Sequence, residues 1–166
     1  MKNIRLIFII LTIIWMIVVF CLSNEPANKS SQTSSSVIRV ALNIVYGNNL
    51  SEEEIEAKIE ELTPVVRKLA HYSIYTLGGM IIGTAVFTYE IISLKKKILI
   101  TQIIGSAYSV TDELHQYFIP GRSCEVRDML IDSSGVLTGI ILLLILTWIC
   151  SIIKKYIKGK ERGISV

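Results

Sequence analysis

SVTDELHQYFIPGRSCEVRDMLIDSSGVLTG, residues 109–139, decides how this chain is read. Asp112, Glu113, His115 and Gln116 stand at the end of one apolar run, and Asp128 and Asp132 at the start of the next. Pro120 and Gly121 supply a turn between them, followed by Arg122. A charge at the centre of a membrane helix costs about 2.5 to 3.5 kcal/mol, so this concentration of ionisable groups calls for a function or for mutual compensation.

The surrounding chain supports a membrane reading. With 166 residues, 51% of them hydrophobic, and a mean hydropathy of +0.55, it is too apolar for an ordinary soluble domain and has the length of one small integral membrane domain. The net charge is only +3, but the basic residues gather at particular ends of apolar runs. No basic patch with interleaved aromatics is present, so no nucleic-acid partner is expected. Cys21, Cys124 and Cys150 show no metal or redox spacing. A Cys21–Cys124 disulfide on the outer side is conceivable but is not the expectation.

Working outward, the expected architecture is all-α: an integral membrane four-helix bundle with helices over about 4–22, 66–92, 98–118 and 129–153 and a polar outer segment over 23–65. Ile4–Leu22 is an almost uninterrupted apolar run. A cleaved signal peptide is its main rival, but CLSNEP lacks a small-x-small cleavage site and Phe20 before Cys21 argues against a lipoprotein signal, so a retained helix is preferred. In the polar segment, Ser34, Ser35 and Ser36 are candidate N-caps for a helix over 37–46, in which Val37, Ala41, Ile44 and Val45 share a face and Gly47 is the stop. Ser51 and Glu54 form an S-x-x-E capping box ahead of an Ile55, Ile59, Leu62 stripe. These predict two short amphipathic helices on the membrane surface or capping the bundle. Thr63–Pro64 reads as the start of the second spanning helix, and Lys154 and Lys155 as the stop of the fourth.

Four crossings place Lys2 and Arg5, the triplet Lys95–Lys97, and Lys154, Lys155, Lys158, Lys160 and Arg162 on one side. The positive-inside rule makes that side cytoplasmic, with the protein in the cell membrane and both termini in the cytoplasm. His71, the Asp112–Gln116 group, Asp128 and Asp132 then meet at one depth near the outer face. Asp112 lies about 21 Å along its helix from Ile98, in the outer third of the bilayer. Helical spacing gives each helix one polar stripe: His71, Tyr75, Gly78; Asp112, His115, Gln116; Asp128, Asp132, Gly135, Gly139. Gly135 and Gly139 suit close helix contact, which turns the last stripe toward the bundle interior.

Such a site offers three chemistries. The histidines and carboxylates are ligand types for a divalent metal, although no HxxxH or HExxH spacing is present, so no metal or cofactor is assigned. His71, Asp112, Glu113 and His115 are candidates for acid–base catalysis. Tyr75, Gln116, Arg122, Asp128 and Asp132 are candidates for binding a substrate, with Arg122 suited to a phosphate or carboxylate. Several also have a structural reading, Asp132 and His115 being the hardest to explain that way. Asp128 caps helix four, Arg122 pairs with Asp112, Asp128 or Asp132, Glu113 faces another helix or snorkels, His71 and Tyr75 bond to each other, and Arg67, Lys68 and Arg127 anchor at the interface.

The stretches LSNEPANKSSQTSSS, RKLAHYSIYTLGGMIIG and TDELHQYFIPGRSCEVRDMLIDSSGVLTG together resemble the VanZ family of bacterial membrane proteins. One departure is Asp132, which stands where the family often has asparagine in D-x-x-x-N-x-x-G. The resemblance implies a multi-pass membrane protein linked to antibiotic resistance of the teicoplanin (glycopeptide) type, without implying a reaction. By motif it carries over His71, Tyr75, Asp112, Glu113, His115, Gln116, Arg122 and Asp128. The function expected is an outward-facing polar pocket that binds or modifies an anionic component of the cell envelope, either a lipid or a lipid-linked precursor. The alternative is a hydrolase or transferase acting on an outer-leaflet phospholipid or polyprenyl phosphate.

Overall fold

A computed structural model describes residues 2–47 and 49–163. The chain is all-α, with α1 (Lys2–Ser23), α2 (Ala27–Tyr46), α3 (Glu52–Phe87), α4 (Leu94–Gln116) and α5 (Val126–Gly163). Among the described residues three helices, α1, α3 and α5, are long and apolar enough to cross a membrane. α4 is of spanning length but falls short in apolarity, because the polar stripe expected from its sequence runs along its inner face. Thr101, Ser109, Asp112, Glu113 and Gln116 are buried, while Leu99, Ile103, Val110 and Leu114 are exposed. Polar inside and apolar outside is the reverse of a water-soluble helix, and it suits hydrocarbon surroundings.

Helix directions follow from the cross-helix contacts. Arg5 Nε donates to Thr88 Oγ1 at 3.1 Å and Trp15 Nε1 to the Ile74 carbonyl at 2.9 Å, so α1 and α3 are antiparallel. Tyr108 donates to the Met16 carbonyl and Gln116 Nε2 to Ser23 Oγ at 3.5 Å, so α4 runs parallel to α1. α3 and α5 are parallel and touch backbone to backbone. A Cβ on Gly139 would strike the Thr76 carbonyl, one on Gly79 the Val136 carbonyl, and one on Gly135 would lie 2.6 Å from the Tyr72 carbonyl. Gly78 makes room instead for the Trp15 indole. The core of Trp15, Val19, Tyr75, Ile82, Val136 and Ile140 forms around this contact.

The outer segment differs from expectation in two ways. The helix expected from residue 37 begins at Ala27, after Pro26. Ser34, Ser35 and Ser36 are therefore inside it, and their hydroxyls bond back to the carbonyls four residues earlier rather than capping. The helix after the Ser51–Glu54 capping box, which is formed as expected, runs without interruption into the second spanning helix. Pro64 lies within it on an exposed face, with Thr63 Oγ1 donating to the Ile59 carbonyl at 2.7 Å just before the lost backbone bond. α2 folds back on this first half of α3 through Ile38, Leu42, Ile55 and Ile59, with Arg39 paired to Glu52 and Glu56. The expected Val37, Ala41, Ile44, Val45 face of α2 is exposed. Gly47, at φ 60°, ends the helix as anticipated.

The remaining helix ends also shift. The second spanning helix stops at Phe87 rather than about 92, and α4 begins at Leu94 with the lysine triplet already helical. α5 starts at Val126 and continues past Lys154 and Lys155 to Gly163, since lysine ends an apolar span without ending a helix. All three cysteines are free.

Two loops at one end of the bundle are tied together by Arg122. Its Nε donates to the Glu25 carbonyl at 2.8 Å, Nη1 to Gln116 Oε1 at 2.9 Å and Nη2 to the Leu22 carbonyl at 3.4 Å, while Ala27 N–H donates to the Pro120 carbonyl at 3.2 Å. The clasp joins the α1–α2 and α4–α5 connections over the bundle's end. Arg122→Lys puts a single donor nitrogen where three separate nitrogens reach three acceptors, and is expected to cost about 2 kcal/mol and to speed proteolysis between residues 23 and 27. Gly139→Leu is expected to destabilise the bundle by about 3 kcal/mol through forced separation of α3 and α5, measured by unfolding in micelles against Leu142→Ala, an exposed control on the same helix.

Candidate functional site

Parallel contact of α3 with α5 fixes their register, and the register brings His71 to Asp132. His71 Nδ1 lies 3.5 Å from Asp132 Oδ1. That is longer than a normal hydrogen bond, and both atoms lack a hydrogen-bond partner. α4 completes the group: ligand atoms of His71, Asp112 and Asp132 all lie within 4.8 Å of one another. Asp132 is 0% exposed and Asp112 4%. Ser109 Oγ donates to Asp132 Oδ2 and Gln116 Nε2 to Asp112 Oδ2, each at 3.2 Å. One oxygen of each aspartate is thereby held by a neighbour.

A cavity of about 240 Å³ opens above this group, between α1, α2, α3 and α4. His71, Tyr75 and Asp112 form its floor side, and Arg67 and Arg122 are on its wall with Val19, Leu22 and Ile74. A second recess of about 180 Å³ shares Arg67, His71 and Arg122 and adds Lys68, Gln116 and Asp128. Arg122, outside the spanning helices, loses proton affinity chiefly through burial and next through the positive charge of Arg67. Among the described residues Arg67 has no ion pair or hydrogen bond of its own, and Arg122 donates to carbonyls and an amide rather than to a carboxylate. Two guanidiniums therefore face one cavity with donor capacity left over.

The other sequence candidates are distributed around this centre. Tyr75 is 0% exposed, its hydroxyl has no partner, and its ring meets Trp15 edge-on, so the expected His71–Tyr75 bond is not formed. Gln116 bridges Asp112 and Arg122. Glu113 neither snorkels nor enters the cavity: 1% exposed, it accepts the Glu125 N–H at 3.0 Å and so holds the turn ahead of α5. His115 is turned to α1, where it stacks on Phe20 with ring centroids 4.5 Å apart. Asp128 is in the first turn of α5, past the cap position, and lines the second recess. Arg122 forms no ion pair with Asp112, Asp128 or Asp132.

Two contributions escape the sequence patterns. Ser109 was indistinguishable from any small hydroxyl in a membrane helix until it was seen to hold Asp132. The α2 serine run supplies a cavity wall through Ser30, Thr33 and Ser34. Its only visible signal was membership in the LSNEPANKSSQTSSS stretch.

Comparison with known proteins gives one positive finding. A family model described as VanZ/LLP1 matches residues 8–147. No curated protein and no solved structure matches the chain. The matched span runs from the first turns of α1 into the apolar half of α5 and contains every residue of the cavity, so this membrane-helical chain belongs to the VanZ/LLP1 family.

Proposed function

We propose that the cavity binds the anionic head group of a cell-envelope lipid or lipid-linked precursor at the outer face of the membrane, and that the protein thereby contributes to resistance of the teicoplanin type. The observation that carries this is the pair Arg67 and Arg122 facing one largely apolar cavity without being ion-paired to a carboxylate. Bidentate guanidinium donors suit phosphate, and the Val19, Leu22 and Ile74 wall suits an acyl or prenyl chain leaving it. In this reading the chain acts as one membrane domain with four crossings, α1, α3, α4 and α5, α4 turning its polar face to the other three, and both termini are cytoplasmic. The antiparallel and parallel helix directions support an even count, and the lysines at the start of α4 and beyond Lys154 support the orientation.

A second reading is a hydrolase or transferase on an outer-leaflet phosphate ester. It draws on the His71–Asp132 approach, in which a buried aspartate beside one ring nitrogen resembles the arrangement that orients an imidazole for proton transfer. It does not draw on His115, which stacks on Phe20, or on Glu113, which accepts the Glu125 N–H.

Expression in a teicoplanin-susceptible host tests both. Under the binding reading, wild-type protein raises tolerance and leaves the lipid profile unchanged. Arg67→Ala, which breaks no bond of the fold, returns tolerance at least about 10-fold toward the vector control, the size expected when one charged contact of 1.5 to 3 kcal/mol is lost. A lipid species that appears with the wild type and disappears with His71→Ala favours the enzyme instead. Full tolerance with Arg67→Ala at equal membrane levels removes the anion-binding proposal.

A further inference from the structure

Three carboxylates, Asp112, Glu113 and Asp132, are buried within one end of a bundle whose exterior is apolar. Among the described residues no lysine or arginine is paired with any of them, and His71 is the single cationic candidate in contact. Uncompensated buried charge of this kind costs several kcal/mol per ion. It also opposes the anion binding proposed for the cavity above, because Asp112, which lines the cavity, and the buried Asp132 beside it repel a phosphate.

We infer that His71, Asp112 and Asp132 bind a divalent transition-metal ion of the Zn²⁺ type, through His71 Nδ1 and one oxygen of each aspartate. Four observations lead there. The three ligand atoms come from three different helices and lie within 4.8 Å of one another. His71 Nδ1 and Asp132 Oδ1 are buried, face each other at 3.5 Å, and bond to nothing. That distance is too long for a hydrogen bond, yet matches the edge of a tetrahedron, about 3.4 Å for ligands roughly 2.1 Å from a shared centre. Ser109 donates to Asp132 Oδ2 and Gln116 to Asp112 Oδ2, outer hydrogen bonds of the kind that ligating carboxylates require.

One imidazole and two carboxylates leave a fourth position open, as in catalytic rather than structural zinc sites. His71 and Asp112 both line the cavity, so that position faces Arg67 and Arg122. With the ion in place the floor attracts phosphate instead of repelling it, and this consequence rests on the anion-binding reading. The cation site itself does not.

The test therefore begins without lipid phosphate. Full-length protein in a non-ionic detergent is stripped with a chelator, and Zn²⁺ is added back and measured by elemental analysis and by titration, with Co²⁺ as a spectroscopic probe. The expected result is one equivalent of Zn²⁺ per chain, a raised unfolding temperature, and the visible bands of four-coordinate Co²⁺. His71→Gln, Asp112→Asn and Asp132→Asn are each expected to weaken binding at least about 10-fold. Ser109→Ala retains the stoichiometry at lower affinity. Absence of Zn²⁺ binding by the wild type overturns the proposal, as does binding unchanged in His71→Gln and Asp112→Asn, which also decide the matter should Asp132→Asn not fold. Arg67→Ala is expected to keep the Zn²⁺ equivalent. A wild type that holds Zn²⁺ but shows no affinity for phosphatidylglycerol vesicles supports the cation site and counts only against the head-group reading.

Discussion

The close approach of α3 and α5 is the contact from which the rest of the molecule follows. Gly135, Gly139 and Gly79 let the two backbones meet with no side chain between them. In lipid, helices gain little from burying apolar surface against each other, so contact area and close approach take over as the source of cohesion. The same contact sets the axial register. His71 lies two turns before Gly79 and Asp132 one turn before Gly135, and their meeting is a consequence of glycines elsewhere on the two helices.

Around that pair the polarity of the bundle is inverted. α4 hides Thr101, Ser109, Asp112, Glu113 and Gln116 and exposes Leu99, Ile103, Val110 and Leu114. α1 contributes almost nothing polar to the interior apart from Trp15 and the Ser23 end, and it closes the cavity through Val19 and Leu22. The Arg122 clasp then joins the loops above. Its three donors go to two carbonyls and an amide, so the arginine secures the connecting loops without cancelling the buried acids.

Much of the architecture could be read from hydropathy and spacing. The apolar runs at either end of the chain, the capping box at Ser51, the stop at Gly47 and the turn at Pro120–Gly121 are all formed. The misreadings share a cause. Serine and proline are ambiguous signals: a serine hydroxyl can cap a helix or bond back within one, and a proline can begin a helix or be tolerated on its exposed side. Spacing alone assigns Ser34–Ser36 and Pro64 the first role, and the fold gives them the second. Lysine at 154 and 155 marked the edge of the apolar span correctly and the helix end incorrectly, because membrane depth and helical propensity are separate properties.

For the candidate site, the one-dimensional pattern was sufficient to place polar stripes on three helices and to bring them to a common end of the bundle. Periodicity is a property of a single helix, so it cannot tell which stripe member meets which partner. His115 shares the stripe of Asp112 yet stacks on Phe20, and Glu113, off that stripe, is buried behind the turn. Ser109 and Arg67 acquire their importance only from what lies across from them. Local chemistry along the chain thus determines which residues are available at the membrane's edge, whereas relative helix rotation and the glycine-set register, which depend on contacts between distant segments, decide that His71, Asp112 and Asp132 share one small volume.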